Sequence, residues 1–192
     1  MKIAVLAVQG AFIEHETMLN NMGIETLELR KKEDLKKDFD GLILPGGEST
    51  VQGKLLKELD MFDELKERIE GGMPVLGTCA GLILLANNIS NDTRTYFATL
   101  PVTVKRNAYG RQLGSFFTQE EFKGLGKVPM KFIRAPIIET VADGVDILSK
   151  VEDKIIAVKY KNQIGLSFHP ELCEDVKIHK LLLDTVHKKG SF

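Results

Sequence analysis

The sequence predicts an α/β fold, with a mostly parallel, doubly wound sheet flanked by helices and antiparallel strands added in the C-terminal half. Three observations lead to this prediction. Short apolar runs alternate with segments of helical periodicity up to residue 86, which is typical of strand–helix units. The early runs are apolar at consecutive positions, as in strands buried on both faces of a parallel sheet. After residue 88 the strand-like runs follow one another without a long helix, which favours antiparallel pairing.

The first half of the chain consists of strand–helix units. After the first apolar run, apolar side chains recur at helical spacing through residues 12–22, and Gly23 follows as a stop signal. The same spacing across residues 51–69 predicts one or two further helices before Gly71 and Gly72. Strands are expected at residues 2–8, 24–29, 41–45 and 74–76.

The second half begins with a polar stretch, residues 87–95, for which we expect a loop. A final helix is expected over residues 175–188, where apolar positions again recur at helical spacing. Strands are expected at residues 101–105, 131–134, 154–160 and 163–168. Because no repeat, linker or low-complexity segment interrupts the chain, we predict one domain over residues 1–192.

Composition excludes several classes of partner. The 26 basic and 27 acidic residues leave a net charge of −1, so no bulk field attracts nucleic acid or a membrane surface. The N-terminal apolar run is too short for a signal peptide, and no apolar stretch approaches the roughly 20 residues of a membrane span. Cys79 and Cys173 are too few for a disulfide framework. A reducing, cytoplasmic setting fits best.

Cys79 lies in the sequence Gly77-Thr78-Cys79-Ala80-Gly81, between an apolar strand and an apolar helix. This context is typical of a nucleophile elbow, with Cys in place of Ser. The tight turn requires small neighbours, which the two glycines provide, and a helix N-terminus favours the reactive thiolate. The alternative is a buried cysteine that acts as a small hydrophobic core residue.

His169 is the best candidate for a base. It ends a strand, and Pro170 biases it towards an extended backbone. In an extended segment the imidazole and the Glu171 carboxylate would lie on the same side, so Glu171 would orient the ring in a Cys-His-acid triad. The alternative is a strand-end histidine with an incidental acid nearby.

The other histidines have different contexts. We expect His15 to be a surface or packing residue, because Glu14 and Glu16 flank it. His179 and His187 lie on the final helix, and we expect both to be solvated.

The segment Pro45-Gly46-Gly47-Glu48-Ser49-Thr50 follows the third strand, and parallel α/β sheets bind ligands at that end. The Gly47 N–H would serve as an oxyanion donor beside that of Ala80. The alternative is helix punctuation, since Ser49 and Gln52 match a capping box. The segment lacks the Gly-Lys-Ser/Thr ending of a phosphate loop, and no spacing of Cys and His predicts a metal site.

Arg106 and Arg134 each end a short strand. A guanidinium recognises a carboxylate through two parallel hydrogen bonds, so either residue could anchor an acidic small substrate. The alternative is a pair of surface charges.

Together these motifs resemble the class I (triad) glutamine amidotransferases, and most closely the glutaminase subunits of pyridoxal 5′-phosphate synthase. The resemblance covers essentially the whole chain. Its motifs are Gln9-Gly10-Ala11 with Glu14-His15, Leu44-Pro45-Gly46-Gly47-Glu48-Ser49-Thr50, Gly77-Thr78-Cys79-Ala80-Gly81, Arg106-Asn107 with Gly110-Arg111-Gln112, Phe132-Ile133-Arg134-Ala135-Pro136, and Ser167-Phe168-His169-Pro170-Glu171-Leu172.

The resemblance implies hydrolysis of L-glutamine to L-glutamate and ammonia through a thioester. Cys79 would be the nucleophile, His169 the base and then the acid, and Glu171 the orienting group. The ammonia would pass to a partner synthase (lyase) subunit, within a large hetero-oligomer that makes the vitamin B6 cofactor. No cofactor or metal is implied for this chain. The family's glutamine-binding positions are Gly47, Glu48, Ser49, Arg106, Ile133 and Arg134.

Two positions depart from the family pattern, namely Cys173 in place of Thr and Ala98 in place of Gly. Three other functions stay open at this point. They are a glutaminase that serves another pathway, a free-standing amidase or peptidase, and a regulator that has kept the fold without catalysis.

Overall fold

The computed structural model describes residues 1–108 and 115–189, so the motif Gly110-Arg111-Gln112 lies outside the described residues. The strands are β1 Lys2–Leu6, β2 Glu25–Leu29, β3 Gly41–Leu44, β4 Val75–Thr78, β5 Ala86–Ile89, β6 Leu100–Lys105, β7 Ser115–Phe122, β8 Gly126–Ile133, β9 Ile137–Val141, β10 Asp146–Val151, β11 Lys154–Tyr160 and β12 Gln163–Leu166. The helices are α1 Phe12–Asn21, α2 Ser49–Glu58, α3 Phe62–Glu70, α4 Ala80–Leu85 and α5 Lys177–Lys189. Short 3-10 turns occupy Lys32–Lys36 and Pro170–Leu172.

The main sheet is mixed, and its parallel part lies at one side. Its order is β2-β1-β3-β4-β12-β11-β9-β6-β5, with β10 beside β11. The pairs from β2 through to β12 are parallel. Beyond β12 the pairing is antiparallel until β6, which pairs with β5 in parallel. This confirms the predicted α/β fold with antiparallel strands added after the parallel core.

Helices cover both faces of the parallel strands. Successive side chains of β1 point to opposite faces of the sheet, so they show which helices lie on each face. Ile3 and Val5 pack in a cluster with side chains of α1 and α5. Ala4 and Leu6 pack in a second cluster with side chains of α2, α3 and α4. In the part of the chain that the structure describes, no helix combines the length and the apolar content that a bilayer span needs.

The helix boundaries follow the sequence signals. α1 ends at its C-cap Met22, and Gly23 adopts φ 75°, as the stop signal predicts. The apolar positions of residues 51–69 form two helices, α2 and α3. Asp60, at φ 54°, lies in the turn between them.

The predictions are least accurate after α4. The segment 87–95 was expected to be a loop, but its first residues belong to β5. Asn87 and Asn88 are partly or fully exposed within this edge strand, so its sequence lacks the apolar run of a central strand. Strands β7, β9 and β10 were not predicted, because half or more of the residues in each are exposed or only partly buried.

The parallel register brings three strand ends together. Leu44 of β3 lies beside Gly77 of β4, and Thr78 of β4 lies beside Leu166 of β12. The segments that follow these three strands therefore meet at one edge of the sheet, where ligands bind in open α/β folds.

Candidate active site

Cys79 forms the turn between β4 and α4. Its backbone has φ 49° and ψ −98°, a conformation that residues other than glycine rarely adopt. A Cβ at Gly81 would overlap the Leu44 carbonyl oxygen, and one at Gly77 would lie 2.7 Å from the Gly81 carbonyl carbon. The two glycines therefore give the turn its room, as the sequence motif predicts.

The turn is bonded to both neighbouring strands. The Cys79 N–H donates to the Leu166 carbonyl at 2.8 Å. Only 7% of the surface of Cys79 is exposed. Its thiol contacts the Ile133 carbonyl oxygen at 3.9 Å. The sulfur is therefore held between β12 and the end of β8.

His169 and Glu171 lie close together, as predicted from their spacing. The His169 N–H donates to the Lys131 carbonyl at 2.8 Å, and His169 Nδ1 lies 2.6 Å from Glu171 Oε1. The extended segment that we expected to run through Glu171 ends at His169, because Pro170–Leu172 forms a 3-10 turn.

The charges of this pair stabilise each other. Burial lowers the pKa of His169, but its hydrogen bonds with Cys79 and Glu171 outweigh that effect and raise the pKa to about 10. Burial raises the pKa of Glu171, but the neighbouring rings of His15 and His169 outweigh it and keep that pKa below its ordinary value. The site therefore favours an imidazolium between the sulfur and a carboxylate.

A cavity of about 340 Å³ opens above Cys79 and His169. Glu171 and Ala80 are buried behind it. The walls of the cavity include all six positions of the predicted glutamine-binding set, which are Gly47, Glu48, Ser49, Arg106, Ile133 and Arg134.

Opposite charges stand at the cavity mouth. Glu48 Oε1 and the Arg134 guanidinium lie 3.4 Å apart, and both side chains are at least half exposed. Arg106 forms an ion pair with Asp92, in which Nη1 lies 2.9 Å from Oδ2. Hydrogen bonds from Arg94 and then Arg106 keep the pKa of the Asp92 carboxyl well below its usual range. The motifs singled out in the sequence did not include Asp92.

The capping box predicted for Ser49 and Gln52 does not form. α2 begins after Glu48, which makes no side-chain cap bond, and the Ser49 hydroxyl is buried without a hydrogen bond in the described residues. Gln52 Nε2 instead donates to the carbonyls of Gln9, at 2.9 Å, and Pro45, at 3.1 Å.

The Gly46–Gly47 segment is held by the chain that follows β1. The Ala11 N–H donates to the Gly46 carbonyl at 3.0 Å, and the Glu48 N–H donates to Gln9 Oε1 at 2.8 Å. A Cβ at residue 46 would overlap the His169 ring. The loop therefore packs directly on the imidazole.

One of the other histidines lies where the sequence did not predict it. His179 was expected to be solvated, but it is fully buried beside His15. His15 is also fully buried, which agrees with packing and excludes the surface location. His187 is exposed, as expected.

Comparison with known proteins gives consistent matches. The family model of the SNO glutamine amidotransferase family matches residues 5–188. A Desulfitobacterium hafniense (strain Y51) protein named pyridoxal 5′-phosphate synthase subunit PdxT is 67% identical, over 97% of this chain and 94% of its own length. A Streptococcus pneumoniae (strain ATCC 700669) protein of the same name is 50% identical, over 99% of this chain and 100% of its own.

Solved structures agree with the architecture. One described as a glutamine amidotransferase has a TM-score of 0.91 and 42% identity, covering 96% of this chain and 98% of its own. Another glutamine amidotransferase, from Thermotoga maritima, has a TM-score of 0.62 at 17% identity, with 98% and 91% coverage. The second likeness concerns the fold alone.

Proposed function

The chain belongs to the SNO glutamine amidotransferase family, and from that premise we propose that it hydrolyses L-glutamine to L-glutamate and ammonia. One observation carries the proposal, namely the hydrogen-bonded pair of His169 and Glu171 beside the Cys79 thiol, at the floor of a cavity. Such a set activates a thiol for attack on a carbonyl.

The cavity walls suit a free amino acid. Glutamine carries an ammonium and a carboxylate on one carbon, and both charges need partners. Glu48 would bind the ammonium, and Arg134 or Arg106 the carboxylate. Ser49, Ile133 and Cys79 line the same cavity. With its two charges bound at the mouth, glutamine would extend its side-chain amide towards Cys79.

In the acylation step the Cys79 sulfur attacks the amide carbon, and a C–S bond forms. The electron pair of the C=O bond moves to oxygen, which the N–H groups of Gly47 and Ala80 would stabilise. The tetrahedral intermediate then collapses and the C–N bond breaks. His169 donates its proton to the departing nitrogen, so that ammonia leaves and a thioester remains.

In the deacylation step His169 is neutral and accepts a proton from water. The resulting hydroxide attacks the thioester carbon, a C–O bond forms and the C–S bond breaks. The products are L-glutamate and the Cys79 sulfur, with the proton back on His169. Glu171 keeps Nδ1 of the ring occupied in both steps, so that Nε2 carries out the transfers.

We further propose that the ammonia passes to a synthase (lyase) subunit. The two curated relatives above are named as subunits of pyridoxal 5′-phosphate synthase. The large hetero-oligomer, the cytoplasmic location and the single glutaminase domain over residues 1–192 belong to the same proposal. Both cysteines are free thiols, which suits a reducing compartment.

The test is a glutaminase assay of the full chain with and without the synthase subunit. We expect glutamate release that requires Cys79 and is stimulated by the synthase subunit. Unrelated amides should not be hydrolysed. The C79A variant serves as the control. Partner-independent turnover of unrelated amides would instead indicate a general amidase, and absence of glutamate release in both arms would refute the proposal.

A further inference from the structure

Behind Glu171 lies a buried cluster of polar side chains that the proposed mechanism does not use. It contains His15 of α1, Thr78 of β4 and His179 of α5, each with 0% of its surface exposed. His15 Nδ1 lies 2.9 Å from His179 Nε2. His15 Nε2 lies 3.4 Å from the Thr78 hydroxyl and 3.4 Å from Glu171 Oε2.

The surroundings determine where the protons are. A carboxylate oxygen and a hydroxyl oxygen both face His15 Nε2, so this nitrogen carries the hydrogen. His15 Nδ1 is then an acceptor, and the His179 Nε2–H donates to it. His179 Nδ1 keeps a lone pair, and it has no hydrogen bond in the described residues. The opposite tautomers would leave a buried N–H unpaired there and aim a lone pair at the carboxylate.

Both rings are neutral in this arrangement. Burial is the main reason that the pKa of His15 lies below its ordinary value. Burial, followed by the neighbouring His15, lowers the pKa of His179 to about 3. Burying two neutral imidazoles is costly compared with burying two leucines, so packing alone does not account for them.

One oxygen of the Glu171 carboxylate lacks a well-aligned hydrogen-bond donor among the described residues. Its Oε1 is bonded to His169, but its buried Oε2 makes no well-aligned hydrogen bond in the described part of the chain. A positive dipole beside Oε2 would hold the carboxylate in the orientation that places Oε1 on His169. The Nε2–H of His15, 3.4 Å from Oε2, provides that dipole.

We propose that His15 is a positioning residue that fixes the Glu171 carboxylate on His169, and that His179 fixes the tautomer of His15. The chain of groups then runs from the nucleophile to α5 in the order Cys79, His169, Glu171, His15, His179. Only the kinetic arm of its test rests on the proposed glutaminase function.

The test uses the full chain with the synthase subunit and the variants His15→Leu, His15→Gln and His179→Leu. In His15→Gln the amide nitrogen replaces Nε2 of the ring. We expect His15→Leu to lower kcat about ten-fold with KM within about two-fold, because an interaction with a charged group is lost. His15→Gln should recover most of kcat, and His179→Leu should give an intermediate loss. His187→Leu, at an exposed position of the same helix, is the matched control.

A second readout does not depend on glutamine turnover. In proton NMR spectra the His169 Nδ1–H, bonded to Glu171 at 2.6 Å, should give a downfield resonance that is absent in His169→Gln. We expect this resonance to shift upfield in His15→Leu and to return towards its place in His15→Gln.

The two failures are separable. If wild type does not release glutamate, the proposed function fails while the NMR comparison still tests the positioning role. If wild type is active and His15→Leu retains both kcat and the resonance, the positioning proposal is overturned. It is also overturned if both His15 variants lose activity only in proportion to their unfolding, with the resonance unmoved.

Discussion

At residue 79 the chain holds a side chain where the backbone favours glycine, since φ is 49° and ψ is −98°. Left-handed conformations cost other residues about 1–2 kcal/mol. The surrounding structure holds the turn in place through the backbone bond to Leu166 and the close contact between Gly81 and Leu44. Placing the Cys79 side chain against the cavity therefore lowers folding stability.

This strain can be measured by comparing two variants of Cys79. At an ordinary helix position glycine is less stable than alanine by about 0.5–1 kcal/mol. At residue 79 we expect the reverse, with Cys79→Gly more stable than Cys79→Ala by about 1 kcal/mol in urea unfolding. Both variants should lack glutaminase activity. A Cys79→Gly protein less stable than Cys79→Ala would show that the turn is not strained.

Ala98 offers a matched control for that comparison. It also has a positive φ, of 52°, a backbone conformation that glycine adopts at lower cost than alanine. Ala98 lies outside the walls of the cavity. Ala98→Gly should therefore stabilise the fold by a few tenths to 1 kcal/mol and leave glutamate release unchanged.

At the scale of elements, Gln52 connects the segments that follow β1 and β3. Its amide nitrogen donates to the carbonyls of Gln9 and Pro45, and the residue is fully buried. Because Gln9 also accepts from the Glu48 N–H, the first turn of α2 and both segments form one bonded unit. This unit sets the position of the Gly46–Gly47 backbone over His169.

We expect Gln52→Met to lose both stability and activity. The methionine fills the same space but removes the donor from the buried Pro45 carbonyl and the partly buried Gln9 carbonyl, which costs about 1–3 kcal/mol. Loosening of the Gly46–Gly47 segment should also lower kcat. Gln163→Met is the control, because Gln163 is a buried glutamine bonded to Thr99, away from the cavity walls.

The two variants separate stability from catalysis. Gln163→Met should lower the midpoint of urea unfolding and leave kcat unchanged at a temperature where the protein is folded. Equal loss of kcat in both variants would mean that the effect of Gln52 is one of general stability.

The elements differ in how well the sequence predicted them, for physical reasons. The strands of the parallel core are buried on both faces, so their apolar runs show in the sequence itself. Among the described strands β7 pairs with β8 alone, and most of its residues alternate between exposed and partly buried, so its pattern is weak. β5 carries two asparagines at the edge of the sheet.

The residues of the candidate site also differ in how well the sequence predicted them. Cys79 and the pair His169 and Glu171 were identified because each lies in a local motif. The contact between His15 and His179 joins positions 164 residues apart, and no short-range pattern indicates it. Gln52 was misassigned because its spacing from Ser49 fits a capping box, whereas its partners lie in other segments.

At the scale of the whole molecule, two buried histidines should limit stability on opposite sides of neutrality. The pKa of His169 is raised to about 10, so the folded state holds a proton that the unfolded state releases above about 6.5. The pKa of His179 is lowered to about 3, so below about 6.5 the unfolded state binds a proton that the folded state does not. The contribution of His169 is complete below pH 6.5 and is lost towards pH 10. That of His179 is complete above pH 6.5 and is lost as pH falls.

We therefore expect His169→Gln to flatten the fall of the unfolding free energy between pH 7 and 9. His179→Leu should flatten the fall between pH 6 and 5. Urea unfolding across this range measures both slopes, with His187→Gln as the control for an exposed histidine. An alkaline slope in His169→Gln equal to that of wild type would contradict the raised pKa of His169.

The place of β12 in the sheet also determines when the molecule becomes reactive. β12 follows the other described strands in the chain, yet it fills a gap in the middle of the sheet, between β4 and β11. During synthesis Cys79 leaves the ribosome before His169 and Glu171 have been made. A nascent or truncated chain thus carries the thiol without the proposed base, and inserting β12 would complete the sheet and the proposed triad together. Under the proposed function we expect incomplete chains to leave glutamine intact, so that the onset of glutamate release follows the insertion of β12.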